Sequence, residues 1–144
     1  MPALGNAKEH ARAAACVSSL RQVGVALQLY GNGNNNRLPL MRGRPVGTDT
    51  NALATNLLPS PDQVLTCKLG NTNVLRCPSV RPALFRQTGS SYAWNSLLNG
   101  RKADNLNVFG MHFDPHAIPV FLYKEKFHAA RDPAKTVNYL YADG

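Results

Sequence analysis

Ala3–Tyr30, ALGNAKEHARAAACVSSLRQVGVALQLY, decides the fold. Placed on a helix at about 100° per residue with Leu20 as reference, Ala13, Cys16, Val17, Val23, Gly24, Leu27 and Tyr30 gather on one side. They form a packing stripe, of which Cys16, Leu20, Val23, Leu27 and Tyr30 are the principal members. Lys8, Glu9, Arg12, Ser18, Ser19, Arg21, Gln22 and Gln28 fall at its edges or opposite, so the segment is amphipathic and must bury one face. Val25 and Leu29 point nearly away from Leu20. A second, smaller apolar strip on the far face gives the helix a second candidate partner, so these two residues are candidates for assembly contacts with a neighbouring subunit or for contacts with the domain's own loops.

Beyond Tyr30 the run Gly31-Asn32-Gly33-Asn34-Asn35-Asn36 should end the helix, since Gly suits the left-handed position past a C-terminus and Asn tolerates it. With 144 residues the chain fits one domain, and its 11 Gly, 10 Pro and 17% charged residues suit a loop-rich one. The expected class is α+β: helix 3–30, loops and short helices over 31–70, and a small antiparallel β-sheet region over 73–144.

Ser60-Pro61-Asp62-Gln63 places a cap, a proline at the first helical position and a reach-back glutamine, predicting a helix from Pro61 to about Leu69 that Gly70 stops. Asn51–Leu58 could form a short helix ahead of Pro59. Asn73–Cys77 reads as an extended run closed by Pro78. Tyr92 and Trp94 alternate as on one face of a strand, which suits core aromatics better than a stacking platform. Leu97–His116 reads as mostly irregular. Ile118–Tyr123 and Thr136–Tyr141, rich in β-branched and aromatic residues, should pair antiparallel, with Pro119 marking an edge or a strand end.

Chemistry-bearing residues are sparse. His112-x-Asp114-x-His116 would lie on one side of extended backbone, and imidazole with carboxylate suits zinc; the competing reading is a polar loop around Pro115. No nucleophile elbow, HExxH helix, phosphate-cradling glycine loop or framed carboxylate pair is present, so the reading is not enzymatic and needs no cofactor. Three cysteines allow one bridge with one thiol left over. Cys67 and Cys77 enclose a Gly-Asn turn, whereas Cys16 lies on the packing stripe, and the residues alone leave both pairings open. Sixteen Lys and Arg against eight Asp and Glu give +8, dispersed along the chain. That charge fits a generally basic surface or a face that holds DNA or an acidic glycan.

Pro2–Pro39, PALGNAKEHARAAACVSSLRQVGVALQLYGNGNNNRLP, followed in order by Arg76-Cys77-Pro78, Ser91-Tyr92-Ala93-Trp94-Asn95, the stretch PVFLYKEKFH ending at His128, and TVNYLYADG ending at Asp143-Gly144, resembles a known family. The resemblance is to type IV prepilin-like proteins and type II secretion G-like pseudopilins, the prepilin-type cleavage and methylation group, including members with a C-terminal H-x9-DG element. It implies a structural subunit of a pilus-like or secretion pseudopilus filament, whose partners are other pilin subunits and a secretion or pilus assembly machinery. It also implies an apolar, membrane-spanning half ahead of Pro2, so that Met1-Pro2-Ala3 reads as a start placed before a shortened chain. The domain would then stand in the periplasm or on the cell surface, anchored to the inner membrane before assembly. Relatives pair a helix cysteine with the Cys-Pro cysteine, which implies Cys16 with Cys77. Fourteen residues separate His128 from Asp143, about five more than in the family element. A minor pilin that binds DNA or acidic glycan during uptake or adhesion is the alternative.

Overall fold

One helix dominates. In the structure, a computed structural model that describes residues 2–43, 58–79, 82, 85, 86, 89–123 and 139–142, α1 runs Pro2–Gly33, 32 residues and about 48 Å. Ala, Leu, Gln and Lys favour it, and no proline interrupts it. The stripe is where periodicity puts it: Ala13, Cys16, Leu20, Val23 and Leu27 are buried, as are Gly24 and Ala26, while Tyr30 is half-buried.

The helix runs three residues past Tyr30, through the Gly31–Gly33 segment that was expected to break it. Glycine costs a helix only about 1 kcal/mol, and the left-handed turn falls later. Asn35 and Asn36 take φ of 54° and 57°, and the Asn36 N–H donates to the Gly31 carbonyl at 2.8 Å, the long bond of a Schellman closure. Asn34 adds a side-chain bond to the Tyr30 carbonyl at 2.8 Å.

α2 spans Pro61–Leu69. Gln63 Oε1 accepts from the Ser60 N–H at 3.0 Å, and Gly70, at φ 67°, closes the other end. The extended run expected after Gly70 is instead a 3₁₀ turn, Thr72–Leu75. Asn71 causes it: its side-chain oxygen accepts from the Asn73 N–H at 2.9 Å, a local bond that competes with strand geometry. The Asn51–Leu57 part of the expected short helix lies outside the described residues.

Three strands form the main sheet in the order β1 (Tyr92–Trp94), β4 (Pro119–Tyr123), β5 (Tyr139–Tyr141), all antiparallel. Trp94 opposes Phe121, and Phe121 in turn opposes Leu140. The two C-terminal strands thus pair as their composition suggests; Thr136–Asn138 lie outside the described residues. Pro119 starts β4, where its missing N–H is tolerated although the strand is central. Tyr92 and Trp94 are buried, with Trp94 against Phe121 at 5.1 Å between ring centroids. Both rings serve packing, and neither offers a face for stacking a ligand.

Leu97–His116, expected to be irregular, holds a 3₁₀ turn at Ser96–Leu98 and a hairpin of β2 (Leu106–Val108) and β3 (Met111–Phe113). Its two-residue turn is Phe109-Gly110 with φ of 52° and 78°. Both values are positive, as a type I′ turn requires. The usual Asn-Gly signal is missing because phenylalanine occupies the first position, which hid the hairpin.

The class is therefore α+β, a long helix packed on α2, the 3₁₀ turn Thr72–Leu75 and β5. Two polar devices and one covalent bond fix the layers. Asn99 accepts from Trp94 Nε1 at 2.7 Å and from the Met41 N–H at 3.1 Å, and donates to the Met41 carbonyl at 3.0 Å. Ser91 Oγ accepts from the Cys77 N–H at 3.1 Å, while the Ser91 N–H donates to the Leu75 carbonyl at 2.8 Å. Cys16 and Cys77 are joined by a disulfide, 61 residues apart in sequence with Cα atoms 5.6 Å apart, and Cys67 is free and exposed. Cys77 therefore does not pair with Cys67.

Replacing Cys16 and Cys77 together by Ala should cost about 4 kcal/mol, because the bridge closes a long loop in the unfolded chain, and lower the midpoint of thermal unfolding by roughly 10 °C. Asn99→Ala strands Trp94 Nε1–H and the Met41 N–H together, so urea unfolding should show a loss of about 2 kcal/mol.

Candidate functional site

The most distinctive surface is the outer side of α1. None of residues 3–12 is buried, and the first buried position is Ala13. Over roughly 15 Å of its length the helix therefore carries no buried side chain, with Glu9 and Arg12 half-buried. Leu4 is 74% exposed, Val25 55% and Leu29 47%. The second apolar strip is thus uncovered, and the two residues expected to make assembly contacts both face solvent.

Two concavities adjoin the helix. One, about 310 Å³, lies by its C-terminal end between Leu27, Leu38, Ala103, Asp104, His116 and Ala142. The other, about 330 Å³, is a groove between α1 and α2 lined by Ser18, Arg21, Gln22, Val25, Lys68 and Leu69. Val25 and Leu69 give it aliphatic surface, and Arg21 and Lys68 bring cations from different helices. Sequence reading did not find this groove, because the cations are 47 positions apart and only helix packing joins them.

The His112, Asp114 and His116 constellation does not assemble. β3 ends at Phe113, so alternation stops before Asp114. Asp114 instead opens a turn, its side-chain oxygen accepting from the His116 N–H at 2.9 Å and its carbonyl from the Ala117 N–H at 2.9 Å. His112 sits opposite Asn107 in the hairpin. Among the described residues no group of three or more His, Cys, Asp and Glu is placed to hold a metal ion. His128, Asp143 and Gly144 lie outside the described residues.

The hydroxyls of the buried residues Ser60, Ser90 and Ser91 are engaged in structure, whereas Ser79 Oγ is enclosed without a hydrogen-bond partner among the described residues. Ser90 Oγ accepts from the Tyr92 N–H at 3.0 Å, Ser91 Oγ from the Cys77 N–H, and the Ser60 hydroxyl donates to Asp62. Among the described residues no helix is long and apolar enough to cross a membrane. No protein-family model, curated protein or solved structure matches the chain.

The two faces of α1 should separate cleanly in mutants. Leu20→Ala should cost about 2–5 kcal/mol through the cavity it leaves, whereas Val25→Asp and Leu29→Asp should stay within about 0.5 kcal/mol of the parent, read by chemical unfolding of the same chain.

Proposed function

We propose that this chain is the globular and half-rod portion of a structural subunit, one that polymerises into a filament of the type IV pilus or type II secretion pseudopilus kind. The observation that carries the reading is the apolar strip on the outer side of α1: Leu4, Val25 and Leu29 are exposed, and residues 3–12 hold no fully buried position. In this reading, a long helix with apolar side chains on its solvent side is completed by neighbouring helices. The order of elements adds support. A helix tied by disulfide to a Cys-Pro segment, followed by a Ser-Tyr strand and a C-terminal strand leading to Ala-Asp-Gly, matches the family resemblance drawn from the sequence.

In this reading the subunit is held at the inner membrane by an apolar span preceding Pro2, with the described domain on the periplasmic side, and in the filament the rods pack together with the domains outward. The disulfide suits an oxidising compartment outside the cytoplasm. The test uses full-length protein in cells carrying Cys67→Ser, so that native thiol chemistry is silent. A cysteine introduced at Val25 or Leu29 should give intersubunit cross-linked products. Monomer alone at both positions, with the thiols shown to react with maleimide, overturns the reading.

A further inference from the structure

We infer that the groove between α1 and α2 of one copy receives the β2–β3 hairpin of a second copy. This rests on the filament reading and names the contact between domains within it. The groove is cationic without compensation. Arg21 and Lys68 are exposed along it, no acid lines it, and no ion pair of either is found among the described residues. Val25 and Leu69 add aliphatic surface beside them.

The hairpin has the opposite character. From Ala103 to Tyr123 the chain contains no Lys or Arg, although the whole protein carries sixteen. Asp104 and Asp114 flank the hairpin, and among the described residues they are the two exposed carboxylates, the other two, Glu9 and Asp62, being half-buried. Arg101 and Lys102 stand just outside the span. Between the acids the tip exposes Phe109 at 82% and Met111 at 58%. One surface offers cations beside aliphatic surface, and the other offers acids around an apolar projection. Such complementarity favours this pairing over alternatives by steering and by the cost of like-charge contact.

Phe109 gives a second line of argument. It holds φ of 52°, where glycine or asparagine is at ease and a bulky side chain is strained. The strained ring is not buried within its own chain. A residue that weakens the turn and is left in solvent is accounted for by a contact beyond the chain. The groove has room for an aromatic ring, and Val25 and Leu69 are suitable neighbours for it. Groove and hairpin share no residue, so each single contact leaves one groove and one hairpin free, and the head-to-tail arrangement that a filament needs can propagate through them.

The experiment is sedimentation velocity on the 144-residue chain at low and high salt. The parent chain should show a concentration-dependent series of oligomers that salt suppresses. Arg21→Glu with Lys68→Glu disables the groove. Asp104→Lys with Asp114→Asn disables the hairpin while the Asn side chain keeps an acceptor for the His116 N–H. Each double variant alone should self-associate at least tenfold more weakly, and an equimolar mixture should form a one-to-one dimer and nothing larger, since one intact groove meets one intact hairpin. Phe109→Gly should raise the unfolding midpoint while weakening association. A parent chain that stays monomeric at low salt, or association unchanged by either double variant, overturns the contact, and a parent that stops at a dimer overturns its head-to-tail propagation. If cross-links through Leu29 form in the full-length protein while these variants change nothing, the filament reading stands and this contact falls.

Discussion

Everything else in the molecule is arranged around the fixing of one helix face. Leucine and valine at helical spacing would bury the stripe of α1 against any apolar surface, so burial alone sets which face turns inward but leaves axial position and crossing angle free. The Cys16–Cys77 bridge removes that freedom, because it pins one turn of the helix to the segment just after the 3₁₀ turn Thr72–Leu75. Hydrogen bonds from Ser91 then carry the constraint into the sheet: Cys77 and Leu75 are held against β1, and β1 registers β4 and β5. The chain from helix to outermost strand is thus specified by one covalent bond and a few directional contacts, with hydrophobic burial supplying the bulk of the driving force.

The remainder of the body depends on short-range polar chemistry. Asparagine recurs at the turning points. Asn35 and Asn36 end α1, Asn71 starts a 3₁₀ turn, and Asn95 caps the next one, its side chain accepting from the Leu97 N–H at 3.2 Å. Asn99 brackets Met41 and Trp94. In a chain with few charged residues, these amides meet backbone donors that strands and helices leave unpaired.

Much of this was legible in the sequence, and what was not has physical causes. Periodicity in α1, the Ser60–Gln63 cap and the β-branched runs near the C-terminus are local signals, and local signals are readable. Asn73–Cys77 misled because its composition suits a strand while Asn71 bends it through a side-chain bond. The hairpin escaped notice because Phe109 holds a conformation that sequence rules reserve for Gly and Asn. His112, Asp114 and His116 looked like a ligand set only if the backbone stayed extended, and an aspartate ahead of proline starts a turn instead. Arg21 with Lys68, and Asn99 with Met41, are tertiary pairs whose members carry no mark in the chain of belonging together. The uncovered strip of α1 was visible as Val25 and Leu29, but its extent toward the first residues depended on how far the body reaches along the helix.

The one-sided seating of α1 has a mechanical consequence. With its fulcrum near Ala13 and Cys16, the segment ahead of them behaves as a lever: a 10° change in how the helix lies on the body would shift its far end by on the order of 3 Å over a 15 Å arm. Small differences in packing around the bridge are therefore amplified at the opposite end of the rod. The disulfide acts as a stiffener for that lever as well as a staple for the fold, setting the angle at which the body is carried by whatever grips the first turns of the helix.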